Sequence, residues 1–376
     1  MSVLRNPTLS FEEAWSIRMP RFLDTLIGTY CHTFRSLEFQ VDQDCLSPLF
    51  NGLSFFPRLQ SLSLRFDRLD LDAWLWYQGL VLSGPVLQSL TISAELVSYD
   101  PLVSNGFTSC FPWKRLTTLD LRHVVLDAHF LYQILHQCSL LQTGKFAVQS
   151  SASHTGTQIT LPYLTSLYVR FQSRFLARTT TQAFDVKFFN FLAIPSVQLL
   201  HISAKVDLEC PLSFVEWMSG LSRKLVGLTL ETRLPDNTLF EVLGRCPLLQ
   251  SLTVFLPHGN ASQGRPVFQA YREHRLLNLR KLAVVSAAGN YITPKLARFA
   301  SLDGLIHDLT HTIVAWVKMN PPPGFELHLY ADGEVLSGIR DQLEDSPLSA
   351  VVKLSRLPVS TEFDKLYKTA MKLIMA

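Results

Sequence analysis

Apolar residues return along this chain at positions i, i+3 and i+5, and they do so ten times. The phrase reads Phe34/Leu37/Phe39, Leu59/Leu62/Leu64, Leu87/Leu90/Ile92, Leu116/Leu119/Leu121 and Leu141/Gly144/Phe146. It continues as Leu164/Leu167/Val169, Val197/Leu200/Ile202, Leu225/Leu228/Leu230, Leu249/Leu252/Val254 and Leu279/Leu282/Val284. Successive starts lie about 27 residues apart, too far for a helical or strand period and right for a repeated supersecondary unit. The step of two between i+3 and i+5 is a strand's, so these side chains point inward while those between them point out. One short strand cannot bury its own apolar face, whereas parallel stacking of successive copies does.

The predicted fold class is therefore α/β, a leucine-rich-repeat solenoid or horseshoe with parallel strands on the concave side, helices on the convex side and helical caps. Apolar residues at helical spacing predict outer helices over 127–137 and 236–245, with two more over 71–82 and 211–221. Residues 1–33 read as an N-terminal helical cap, since Ser10 and Glu13 form a capping box before an amphipathic run broken at Pro20. Residues 34–286 read as the solenoid. Residues 287–376 read as a C-terminal cap: a helix over 301–319 ends against Pro321, Pro322 and Pro323. FELHLYAD and SAVVKLSRL follow as closing strands, and 362–375 is a last helix.

Two intervals carry extra material. QSSASHTGTQIT, 149–160, is small and polar and reads as a surface loop; 171–191 lengthens the sixth unit. The sequon at Asn260 sits in another loop and is read as chance. Cys31, Cys138 and Cys246 each stand three residues before a repeat start, where an outer helix turns into the next strand, and read as small buried thiols at a recurrent packing spot.

Composition narrows the class. Charged residues make up 17% of the 376 and hydrophobic ones 47%, which excludes a disordered chain and supports a large core. The formal charge of +3 is too small to imply a nucleic-acid or membrane partner. No secretory signal or stretch of about 18 apolar residues stands out, so the expected location is cytoplasmic or nuclear. The six cysteines form no C-x-x-C pair.

The search for chemistry returns little. There is no G-x-G-x-x-G or G-x-S-x-G, and Thr143-Gly144-Lys145 lacks the upstream glycine of a phosphate loop. His307-Asp308-Leu309-Thr310-His311 approaches the H-E-x-x-H of zinc proteases, in which two histidines one helical turn apart hold the metal. Here the acid is one methylene short and no third ligand lies at a recognisable spacing. Leu302, Leu305, Leu309, Ile313 and Val317 claim the apolar face, leaving both histidines with the solvated one. The expectation is no enzyme, no cofactor and no metal, with a zinc-dependent hydrolase at His307 and His311 as the alternative from another class.

Binding is then the default use of the fold, on residues that point outward between the strand leucines. The first outward column is mostly small, as in Ser36, Ser61, Ser89, Thr118, Thr143 and Ser166. The next two columns offer Arg122, Lys145, Tyr168, Arg170 and His201 in the middle units, a basic and aromatic ridge suited to an acidic or polar protein segment.

The phrases CPLLQSLTV, FPRLQSLSL and KRLTTLDLR, the first led by a helix running into cysteine-proline, resemble the repeat region of fungal F-box proteins carrying leucine-rich repeats. The resemblance runs from about Thr33 to Val285. It implies substrate recognition for ubiquitin ligation, with a Skp-type adaptor and a cullin as partners. The 33 residues before the first repeat do not read as the three-helix F-box, so no F-box residue is carried over. The alternative is a free-standing scaffold or inhibitor without a ubiquitin link.

Overall fold

In the computed structural model the repeat phrase becomes a set of parallel strands paired at their i+3 residues. It describes residues 32–40, 56–70, 86–98, 108, 111–149, 158–172, 187–204, 212–221, 223–232, 234–257, 267, 269–270, 273, 276–287, 325–331, 336–337, 339–340 and 352–356. The chain divides into two compact units, residues 1–176 with 191–196, and residues 177–190 with 197–376.

In the first unit, β1 (Ser36–Gln40), β2 (Ser61–Asp70), β3 (Ser89–Ser98), β4 (Thr118–Asp127), β5 (Thr143–Gln149) and β7 (Ser166–Gln172) pair in that order, all parallel. Leu37, Leu62, Leu90, Leu119, Gly144 and Leu167 are successive register partners, so the i+3 positions form one inward row. All five leucines of that row are buried. A recurrent stitch joins the turns: one carbonyl accepts from two consecutive amides of the next repeat. Arg35 O takes Gln60 and Ser61, Gln60 O takes Gln88 and Ser89, and Gln142 O takes Thr165 and Ser166, at 2.8–3.1 Å.

The helix α1 (Ala128–Leu135) follows β4 directly, within the predicted 127–137. Asp127 caps it by accepting from the His129 amide at 2.8 Å. Its buried face of Phe130, Leu131, Ile134 and Leu135 packs against β4 and β5. The extra material holds one feature the pattern did not show. Ile159–Thr160 (β6) pairs in parallel with Leu192–Ala193 (β8), making a two-stranded sheet where the sequence of 149–160 predicts a loop.

In the second unit, β9 (Leu199–Ala204), β10 (Gly227–Glu231), β11 (Ser251–Pro257), β12 (Lys281–Ala287), β13 (Glu326–Ala331) and β14 (Val352–Arg356) are likewise parallel. Leu200, Leu228, Leu252, Leu282, Leu327 and Val352 share one inward row, which carries the two expected closing strands into the same register. The helices α2 (Lys187–Asn190), α3 (Leu212–Leu221) and α4 (Asp236–Gly244) pack in sequence. Phe189 of α2 lies against Trp217 of α3 with the rings tilted by 33° and their centroids 4.2 Å apart, and Phe214 adds a third ring. Neither sheet closes on itself. Each is an open ladder of parallel strands, with few helices among the described residues. The helices expected over 1–33, 71–82, 301–319 and 362–375, Cys31 and the sequon at Asn260 lie outside the described residues.

The corner before each strand explains the cysteines. The residue three before the repeat start accepts from the start amide: Phe56 from Leu59, Trp113 from Leu116, Cys138 from Leu141, Leu161 from Leu164, Cys246 from Leu249 and Leu276 from Leu279. All six corner residues are buried. Burial pushes both thiols up to about 12. Cys138 also donates Sγ–H to Ile134 O at 3.3 Å. The spot takes a small or apolar side chain, and cysteine serves there as a hydrophobe.

Candidate functional site

The outward face of β4, β5 and β7 carries four of the five candidate residues. Register places Asp120, Lys145 and Tyr168 side by side in one column, with Ala147 and Arg170 as partners in the next. Arg122 does not complete that second column. Leu121 pairs with Phe146 and the next pair is Val125 with Ala147, so Arg122, His123 and Val124 bulge from the β5 side of the ladder, while His123 keeps a partner in Ser93 of β3. A bulge re-aims the side chains it carries.

Here it turns Arg122 back on its own strand. Arg122 Nε lies 3.2 Å from Asp120 Oδ2, and the Arg122 amide donates to Asp120 Oδ1 at 3.3 Å. Lys145 Nζ reaches the same Oδ2 at 3.5 Å from the neighbouring strand. The Asp120 side chain is only 9% exposed, against 15% for Arg122 and 24% for Lys145, so one buried carboxylate anchors two partly covered cations. Sequence reasoning missed Asp120, although it stands four after its repeat start as Lys145 does, and a parallel ladder sets such residues beside each other.

Tyr168 and Arg170 are both half-exposed and point to the same side of β7, two residues apart. Of these basic and aromatic groups, Arg170 makes no ion pair among the described residues. The arrangement is a phenol and a guanidinium presented beside a fixed Asp120–Arg122–Lys145 cluster. Chemically it favours an oxygen-rich acceptor group, which Arg binds through a planar fork of donors.

His201 belongs to the second unit, on β9, and is buried there. Its Nε2 lies 3.3 Å from Glu231 Oε2, contributed by β10. A second histidine–carboxylate pair, which the sequence reading did not single out, lies on β13, with Lys353 of β14 beside it. Glu326 accepts from His328 Nε2 at 2.9 Å and from Lys353 Nζ at 3.0 Å. These two bonds hold the Glu326 carboxyl well below its usual range, down to about 2. Tyr330 stacks parallel to His328 with ring centroids 6.3 Å apart, and burial raises its phenol.

His307 and His311 lie outside the described residues. Among the described residues no group of three or more His, Cys, Asp or Glu side chains is placed to hold a metal ion. No helix among them is long and apolar enough to cross a membrane.

No family model matches the sequence. No curated protein matches it either. Among solved structures, the chain is similar to one in the crystal structure of the Rad7 and Elc1 complex in yeast. The TM-score is 0.39 at 11% identity, covering 91% of this chain and 79% of that one. It is also similar to a chain in the TLR13–ssRNA13 complex, with a TM-score of 0.36 at 11% identity, covering 81% of this chain and 41% of that one.

Proposed function

We propose that this chain is a non-enzymatic protein-binding module, a leucine-rich-repeat horseshoe with its strands on the concave side and its helices on the convex side. The observation that carries the reading is the outward face of β4, β5 and β7. There Tyr168 and Arg170 stand half-exposed beside two cations already ordered by Asp120. Tyr and Arg are the side chains that most often dominate binding energy at interfaces, and an anchored surround lowers the entropy lost on docking. The ligand we assign to this face is an acidic or polar protein segment.

The role we propose is substrate recognition of the F-box/leucine-rich-repeat type in ubiquitin ligation, in the cytoplasm or nucleus, with a Skp-type adaptor and a cullin as co-partners. Its support is the resemblance of CPLLQSLTV, FPRLQSLSL and KRLTTLDLR to that family's repeats. Affinity purification of the tagged chain from its native cell, with mass spectrometry, tests it. Near-stoichiometric adaptor and cullin are the expected result. A reproducible partner without either would replace the ligase role with that of a free-standing scaffold.

A further inference from the structure

A second surface lies at the rim where the strands begin, away from the outward face. In the first unit, take the positions from two before each repeat start to one after it. Across six repeats they include Arg35, Arg58, Lys114 and Arg115 and not one Asp or Glu. With 31 acidic residues among 376, composition alone would put about two acids among these 24 positions, and there are none. Arg35, Arg58 and Lys114 are exposed, and none makes an ion pair among the described residues.

The turns before the strands hold the exposed apolar groups in each unit. Among the described residues four large hydrophobic side chains stand in water: Leu140 at 45%, Tyr163 at 56%, Leu248 at 45% and Leu277 at 67%. All four fall one or two residues before a repeat start. Leu140 and Tyr163 belong to adjacent repeats of the first unit, and Leu248 and Leu277 to adjacent repeats of the second. Single exposed leucines are ordinary; four confined to the two positions before a repeat start are not scattered.

We propose that the rim of the first unit docks an acidic amphipathic helix of a partner protein. The stitch bonds hold successive rim positions side by side, and neighbouring strands lie about 4.8 Å apart. A helix turn rises about 5.4 Å, so a helix laid across the strands sets one turn against each repeat. An extended segment offers a same-side residue only every 6.8 Å or so. Six strands span about 24 Å, the length of a helix of about 16 residues. The cations at β1, β2 and β4 take its carboxylates, and Leu140 and Tyr163 at β5 and β7 take its apolar stripe.

The test is fluorescence anisotropy of the full chain with a labelled amphipathic peptide of about 18 residues built from Leu, Ala and Glu, beside its Lys-for-Glu counterpart. The Glu peptide is expected to bind and the Lys peptide not. Arg58→Glu with Lys114→Glu, and separately Leu140→Ser with Tyr163→Ser, should each weaken binding on the order of tenfold at unchanged melting temperature. The pair Tyr168→Ala and Arg170→Ala should leave it unchanged, which separates the rim from the outward face. No binding of the Glu peptide, equal binding by the charge-reversed variant, or capture by phosphatidylserine vesicles in preference to the peptide would overturn the proposal.

Discussion

Gly144 stands where neighbouring repeats carry leucine, and a Cβ there would meet the Phe146 ring at 2.7 Å. Its backbone is not left-handed, so space alone requires glycine. The buried Phe146 ring fills the volume that a leucine at i+3 fills elsewhere. Gly144→Leu should cost about 1–3 kcal/mol, and adding Phe146→Leu should recover most of that. Urea melts of the single and double variants check the coupling, and strictly additive losses would contradict it. Cys138 and Cys246, with thiols pushed up to about 12, should resist alkylation at pH 8 until the chain unfolds. Peptide mass mapping in rising urea reads this directly. Asp120→Ala should cost about 1–2 kcal/mol, since it strips Arg122 and Lys145 of their shared carboxylate at a partly screened site. The role of Asp120 was legible only once repeats were set in columns. The Gly144–Phe146 exchange was visible as a departure from leucine, but its cause lies in ring volume.

At the scale of elements, the i, i+3, i+5 phrase located the first ten ladder strands because burial on one face imposes a strict period of two. The helices α1, α3 and α4 were legible for the matching reason at period 3.6. The bulge at Arg122, His123 and Val124 was not, because it falls after the phrase ends and leaves the next start undisturbed. The pair β6 and β8 escaped because two residues are too few to show a period. Leu131 of α1 is fully buried, so Leu131→Ala should cost about 3 kcal/mol by thermal denaturation. The β13–β14 pair carries a pH dependence. Glu326 is lowered from 4.5 to about 2, so its contribution is present above pH 4.5 and fades as pH falls towards 2. Glu326→Gln should flatten that part of the melting temperature's pH profile, and an unchanged slope would show that other carboxyls set it.

For the molecule as a whole, the repeat made the architecture readable and left the ligand nearly unspecified. Inward leucines are constrained by the core, whereas outward residues are not, so no period fixes their identity. Tyr168 and Arg170 could be placed outward from periodicity alone. Their setting beside an anchored carboxylate and two ordered cations emerged from the register between strands. On the proposed function, this outward face captures a protein partner. The most direct measurement is affinity capture with quantitative mass spectrometry, comparing the native chain with the Tyr168→Ala, Arg170→Ala double variant at matched melting temperature. Loss of the main captured protein from the double variant, with retention by the native chain, is the predicted result. Equal recovery of every partner by both chains would contradict the claim.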